Sequence, residues 1–360
     1  MNTRKRILFV DLGASMAGVE AYLEGLTEIL QPNADLFAIC VLEELGERLT
    51  TNGVRVTRLP LFAKVRALRF IVAFFALCYL IGRYRISTVQ VNGFLEATLL
   101  VPARLLGCET VYTRHGPFEV DLFPWHKQPA KFFPRFLARQ SARFASQLVC
   151  VSETVGSTVK GQFAASRVKV ISNWLGRLPE FRARFAKAGE DLVHVVYVGR
   201  LEQYKGVQLL LEAVRGLPVR LTIVGDGSYR RSLEEQSAGL NVTFTGFQRQ
   251  TERFYDNADI FVMPSMGPEG GPMVALEAMS HSLPCIFSDL PVHCEITANG
   301  EAAMLFHNGD AADLRAKLTA LGENAEMRKQ YCEAAYRMVT AKYQVDCARR
   351  AYLQVFEVGV

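Results

Sequence analysis

The feature that most constrains this chain is a repeated alternation. Short apolar runs rich in Val, Ile and Leu keep giving way to segments with apolar residues at helical spacing. Strands are read in the front half at 6–11, 36–42, 54–59, 88–91, 109–114, 148–153 (ending in a Ser-Glu turn) and 168–173. In the rear half they are read at 193–198, 221–224, 242–246 and within 254–262. Strands without polar alternation are buried on both faces, as in parallel sheets covered by helices. The expected fold class is therefore α/β, with two doubly wound, Rossmann-like sheets. At 360 residues, half of them hydrophobic, the chain is too long for one typical domain and can bury two cores. The polar, irregular stretch from Pro179 to Asp191 supplies the linker, giving domains 1–178 and 179–342. Ala311 to Ala320 and Asn324 to Val339 read as amphipathic helices.

Several function classes are excluded early. The eight cysteines are scattered, with no CxxC pair, which suits reduced thiols in a cytosolic protein rather than disulfides or a zinc site. The basic opening Arg4-Lys5-Arg6 precedes an apolar run that stops at Asp11, so it reads as a strand and not a signal peptide. No internal repeat, low-complexity tract or transmembrane span is present, and the GxGxxG dinucleotide fingerprint is missing. No Asp-x-Asp stands at a convincing strand end, so no metal is assigned.

Charge is uneven. Residues 1–172 hold 21 Lys+Arg against 13 Asp+Glu, a balance of +8, while the remainder carries 20 against 23. From Arg48 to Leu95 there is no acid but eight Lys or Arg, around an uncharged stretch from Phe70 to Gly82. That stretch is well short of the ~20 residues needed to span a bilayer. It reads either as a buried helix of an α/β domain or as a helix resting on an anionic membrane face. Lys127, Lys131, Arg135, Arg139 and Arg143 recur every four residues with aromatics between them, and Pro134 begins or interrupts that helix. This stripe is either a solvated face or a surface for lipid phosphates. No recognised nucleic-acid motif accompanies the charge, so no nucleic-acid partner is expected.

The chemistry concentrates in Pro264 to Ser280. Glu269-Gly270-Gly271-Pro272-Met273-Val274-Ala275-Leu276-Glu277 places two carboxylates eight positions apart around a glycine turn and a helix start. Pro272 suits the first helical position, and the free N–H groups of Met273 and Val274 make an anion site reinforced by the helix dipole. An anion cradle flanked by two hydroxyl acceptors suits a sugar–diphosphate–nucleoside. A surface helix with a Gly-rich cap has the same composition. Upstream, Gly199-Arg200-Leu201-Glu202-Gln203-Tyr204-Lys205-Gly206 follows a strand and supplies two cations, able to neutralise a diphosphate leaving group without a metal. Leu221 to Gly227 is a strand followed by a glycine turn that includes Gly225. His115 follows the strand 109–114 at its carboxyl end, where ligands bind in open α/β sheets.

These segments resemble the retaining GT-B glycosyltransferases of family four. The likeness rests on the E-x7-E stretch, Leu283-Pro284-Cys285-Ile286, the 199–206 loop, the 221–227 turn and the Gly-rich Met16-Ala17-Gly18-Val19-Glu20 loop. It is specific over 193–300 and loose over 1–172. The resemblance implies two Rossmann-like domains facing a central cleft, with a final helix within 343–360 packing back on the first. It implies transfer with retention by front-face displacement from a nucleotide-sugar donor, UDP- or GDP-linked, with no cofactor. In that scheme Arg200, Lys205 and the helix start at Met273 hold the diphosphate. Glu277 binds the ribose, Glu269 the sugar hydroxyls, and His115 supports charge at the sugar. Gly18 lies where a side chain would block sugar or acceptor. Gly199, Gly225, Gly270, Gly271 and Val274 complete the donor-binding set. The family often has Asp or Asn after the histidine, whereas this chain has Gly116. The basic front half points to a glycan or lipid-linked acceptor near an anionic membrane, for a cytoplasmic protein peripheral at its inner face. Two rivals stand beside this reading: a GT-B nucleotide-sugar epimerase, and a catalytically silent binding protein.

Overall fold

The structure is a computed structural model that describes residues 4–13, 18–59, 66–116, 136–159, 163–182, 192–267 and 269–359. The chain forms two compact units, Met1–Asn173 with Asp346–Val360, and Trp174–Val345. The break thus falls five residues ahead of the boundary read at 178/179.

The first unit carries a parallel sheet of β1 (Lys5–Asp11), β2 (Ala34–Cys40), β3 (Arg55–Arg58), β4 (Thr88–Val91), β5 (Glu109–Arg114), β6 (Gln147–Cys150) and β7 (Val168–Val170). Its order is β3-β2-β1-β4-β5-β6-β7. The order reverses between β1 and β4, which opens a crevice at their carboxyl ends. Helices α1 (Gly18–Leu30), α2 (Glu43–Thr51) and α3 (Arg66–Tyr84) make the first crossovers. The C-terminal helix Val345–Val355 ends in this unit. There Tyr352 meets the Tyr22 ring at 6.0 Å between centroids and Phe356 meets Phe9 at 6.3 Å.

The second unit repeats the plan with β8 (Val193–Val198), β9 (Val219–Val224), β10 (Val242–Gly246), β11 (Ile260–Met263), β12 (Cys285–Ser288) and β13 (Met304–Phe306), in the order β10-β9-β8-β11-β12-β13. The two-residue period of a strand explains the unbroken apolar runs. Val195 and Tyr197 of β8 enter one core while Val196 and Val198 enter the other, so both faces are covered. The sequence reading did not place strands at β12 and β13.

Burial bears on two earlier alternatives. α3 is neither wholly buried nor wholly exposed: Ala73 and Leu77 lie in the core, while Phe75 and Tyr79 are 64% and 65% exposed. The basic stripe is described only from residue 136. There a helix over 136–141 passes into the 3-10 turn Ala142–Phe144, so the four-residue spacing of Arg139 and Arg143 is not continuous helix. Lys127, Lys131, Pro134 and Arg135 lie outside the described residues, as do 183–191 of the linker.

Candidate active site

In the second unit, loops at strand carboxyl ends come together. β8 runs through Gly199 and Arg200 into the 3-10 turn Gln203–Lys205, closed by Gly206 in the left-handed conformation (φ 72°). β11 leads into residues 264–267, where the amides of Met266 and Gly267 both donate to the Tyr204 carbonyl, at 2.7 and 3.1 Å. The Pro264 carbonyl presses so closely on Gly206 that a Cβ would collide with it. Only glycine satisfies both that contact and that backbone angle. Gly225, at φ 137°, is packed in the same way against the Gly199 carbonyl, which brings the ends of β8 and β9 together.

The side chains on these loops form one cluster. Lys205 Nζ donates to Glu269 Oε1 at 2.5 Å, and Ser265 Oγ donates to the same oxygen at 2.7 Å. The lysine and glutamate side chains are only 15% and 10% exposed, so the pair is largely shielded from water. Arg200 Nη2 donates to the Tyr204 hydroxyl at 2.9 Å, and Lys205 Nζ stands 5.3 Å from the centroid of the same ring. Tyr204 therefore links the two cations. Lys205 has three protons and spends one on Glu269, which leaves two for a ligand.

Gly270, Gly271 and Pro272 connect Glu269 to the helix Met273–Ser280. Pro272 is not the first helical residue, as the sequence suggested, but the cap before it. Its extended ψ of 105° aims its carbonyl into the first turn, where it accepts from the amides of Ala275 and Leu276 at 3.2 and 3.4 Å. The consequence for the cradle is unchanged. Met273 and Val274 occupy the first two helical positions, whose N–H groups have no acceptor within the helix.

Glu277 stands one turn further, on the same face as Met273. Its Oε2 accepts from the Tyr255 hydroxyl at 2.9 Å. Burial raises its pKa above the ordinary value; the Tyr255 bond counters this in part, Glu252 adds to it, and His281 opposes it. The two carboxylates of the E-x7-E stretch thus have separate partners, Lys205 and Ser265 for one and Tyr255 for the other.

Sequence reasoning missed the buried bracket behind Glu269. Ser265, Ser288 and His293 are all 0% exposed. Ser288 Oγ donates to the Ser265 carbonyl at 2.6 Å, and His293 Nδ1 donates to the Ser288 carbonyl at 2.9 Å while lying 3.1 Å from Ser288 Oγ. That network fixes the Nδ1–H tautomer and leaves Nε2 buried without a partner. Burial lowers the pKa of His293 to about 4; its Ser288 bond and Glu269 act against this, and Lys205 adds to it. Ser265 and Ser288 end or follow strands β11 and β12, the positions where an open α/β sheet presents ligand-facing groups. That signal was lost once β12 went unread.

The first unit brings together a different set. His115 follows β5, its Nε2 lies 3.5 Å from Asn92 Oδ1, and its ring meets the edge of Tyr22 at 4.6 Å. Gln90 Nε2 reaches Thr113 Oγ1 at 2.7 Å and both the Tyr22 hydroxyl and Asn92 Oδ1 at 3.2 Å. Exclusion of water, and secondarily the charge of Arg114, pull the pKa of His115 down to about 3, so the imidazole is neutral at physiological pH. Arg114 itself donates from Nε to the Gly116 carbonyl at 3.1 Å, which uses the residue after the histidine as backbone. Gly18 is the exposed first residue of α1; Met16 and Ala17 lie outside the described residues. Among the described residues no group of three His, Cys, Asp or Glu side chains is arranged to hold a metal ion.

Comparison with known proteins bears on the family and the fold. Residues 179–338 match the family model for glycosyl transferases group 1, and residues 17–174 match that for the glycosyl transferase 4-like domain. The chain is 29% identical over 286 residues to the sulfoquinovosyl transferase SQD2 of Arabidopsis thaliana, covering 73% of this chain and 55% of SQD2. It is 33% identical over 322 residues to EpsF of Bacillus subtilis, covering 80% of each. The chain spans about half the length of several curated relatives it matches. The crystal structure of HepE from Anabaena in complex with UDP-glucose superposes with a TM-score of 0.81 at 18% identity, covering 98% of this chain and 99% of that one. The shared fold is GT-B.

Proposed function

The chain belongs to the glycosyl transferases group 1 family, and from that premise we propose that it transfers a sugar from a nucleotide-sugar donor to an acceptor hydroxyl, with retention and without a metal. The observation that carries this reading is the shielded Lys205–Glu269 pair, linked through Tyr204 to Arg200 and four residues ahead of the helix start at Met273. In this proposal the two spare protons of Lys205, the Arg200 guanidinium and the amides of Met273 and Val274 receive the diphosphate. Gly199 and Gly225, packed backbone against backbone, let the nucleotide approach the main chain. Glu277 accepts from the ribose, and Glu269 from a sugar hydroxyl.

The reaction is then mainly electrostatic. The bond from the anomeric carbon to the phosphate oxygen breaks, and its electrons stay on that oxygen. The cations and the helix start stabilise the charge as it develops. The acceptor oxygen attacks on the face the leaving group vacates and passes its proton to the departing diphosphate. His115 contributes a neutral hydrogen bond at the sugar, because its imidazole carries no charge to offer. The acceptor we assign is a glycan or lipid-linked sugar near an anionic membrane, at the inner face where a peripheral protein with a basic front half would work. Among the described residues no helix is long and apolar enough to cross a membrane.

A thermal-shift screen over UDP- and GDP-sugars tests the donor assignment, since the tightest ligand raises the melting temperature most. At least one of these should raise it in the wild type and none should do so in Lys205→Ala. Equal shifts in both proteins would reject the cradle. A donor-only incubation tests the rivals: conversion to an epimer without acceptor points to the epimerase, and no turnover with any acceptor points to a silent binder.

A further inference from the structure

α3 has an apolar face on each side. Ala73, Leu77, Leu80 and Ile81 lie in the core. On the opposite side Leu68, Phe75 and Tyr79 fall within about 40° of one another around the helix axis, and they are 44%, 64% and 65% exposed. Ile71, 54% exposed, widens the stripe. A helix on a soluble protein ordinarily turns polar residues outward there.

The stripe continues onto neighbouring elements. α3 packs beside the helix Leu100–Leu105, which packs in turn beside the 3-10 turn Ala142–Phe144. Leu105 and Leu106 are 79% and 50% exposed, and Phe136, Leu137 and Phe144 are 44–46% exposed. These three neighbouring segments carry ten of the thirteen exposed large hydrophobic residues among those described. Over the same segments, 66–85, 100–106 and 136–144, the sequence holds seven arginines and no aspartate or glutamate. Arg83, Arg85, Arg104 and Arg143 are exposed beside the apolar side chains.

We propose that this face of the first unit is a docking surface for an anionic lipid bilayer, with the stripe of α3 at the headgroup–acyl boundary and the exposed Arg83, Arg85, Arg104 and Arg143 on lipid phosphates. The composition selects this occupant. Apolar side chains interleaved with cations and no anions is the pattern of a helix lying in a membrane interface. A second copy joined by a two-fold axis would set this arginine-rich face against itself. The proposal deepens the membrane-proximal part of the functional reading. It is nonetheless measured without donor or acceptor, so the two fail separately.

The experiment is co-sedimentation of the full chain with vesicles of phosphatidylglycerol mixed with phosphatidylcholine, against phosphatidylcholine alone. Binding to the anionic vesicles is expected, and it should weaken as salt screens the arginines. The combined variant Ile71→Ser/Phe75→Ser/Tyr79→Ser should bind at least about tenfold more weakly. Arg83→Gln and Arg143→Gln should each cost roughly fivefold, the equivalent of one surface cation. Phe247→Ser, which removes an exposed phenylalanine from the second unit (58%), should bind like wild type. All these variants should keep the wild-type melting temperature and nucleotide-sugar shift. The proposal fails if wild type ignores anionic vesicles or if the triple variant binds them equally. It also fails if sedimentation velocity shows a dimer that the triple substitution dissolves while vesicles go unbound.

Discussion

The two units treat charge in opposite ways. The second gathers cations on short loops and restrains them with one carboxylate: Lys205 against Glu269, with Arg200 tied in through Tyr204. The first sets its half-buried candidate histidine against Tyr22 and Asn92, beside a Gln90–Thr113 network, with its pKa lowered so that it is uncharged. A leaving diphosphate needs positive charge already in place, whereas a sugar needs directional hydrogen bonds from neutral groups. The sharpest way to break this contrast is to remove the charge. Lys205→Ala should lower turnover by about 10²–10³, the usual effect of deleting one preorganised donor to developing negative charge. Glu269→Gln keeps an acceptor for Lys205 and Ser265 but drops the anion, so it should fold and still lose activity. Steady-state kinetics beside melting curves separates these effects. Wild-type kcat in Lys205→Ala would place the leaving group elsewhere.

The bracket behind Glu269 gives a second test, on stability. The unfolded chain protonates His293 near pH 6.5, whereas the folded protein resists to about 4. Between those values the unfolded state binds more protons, so stability falls as pH falls through that window and is lost no further below it. That separation corresponds to about 3 kcal/mol at the low end. His293→Asn retains a donor to the Ser288 carbonyl but cannot titrate. The stability gap between the two proteins should therefore shift in favour of the variant as pH drops from 6.5 to 4. Taking the difference removes the contributions common to both, including Asp11 and Glu277, whose raised values act in the opposite direction. A gap that does not change with pH would mean His293 is not held neutral.

What could be read from sequence follows from how local the cause is. β8 was legible because both faces are buried and Val195 to Val198 is an unbroken apolar run, and β9 because Leu221, Ile223 and Val224 run straight into a glycine turn. Lys205 and Glu269 were legible as loop residues at strand ends, and the glycines between the loops marked where backbones touch. β12 and β13, four and three residues long, lack the length for a pattern to stand out. The Ser265–Ser288–His293 bracket joins residues 23 and 5 positions apart by contacts that no periodicity reports. Helical spacing in Phe70 to Gly82 allowed a buried helix or a surface one. Only packing revealed that α3 is apolar on both sides, with Leu77 inside and Phe75 outside. The E-x7-E spacing set one carboxylate on each side of the helix start but could not name their partners, Lys205 and Ser265 for Glu269 and Tyr255 for Glu277.

The smallest expected effect belongs to the uncharged side. A neutral imidazole contributes at most an ordinary hydrogen bond, roughly 0.5–1.5 kcal/mol. His115→Ala should therefore slow transfer by only about three- to tenfold, far less than Lys205→Ala. The pH profile sharpens this further. With its pKa near 3, His115 does not change charge between pH 5 and 8, so the rate should show no inflection near 6.5 that disappears in His115→Asn. Arg114 supplies the converse test. Arg114 opposes protonation as a nearby cation while pinning the loop through the Gly116 carbonyl. Arg114→Met should let the pKa of His115 rise, though not to 6.5, because loss of water is the larger cause. A proton resonance of His115 that titrates near 6.5 in the wild type would remove the contrast between the units, since the histidine would then gain and lose charge in the physiological range.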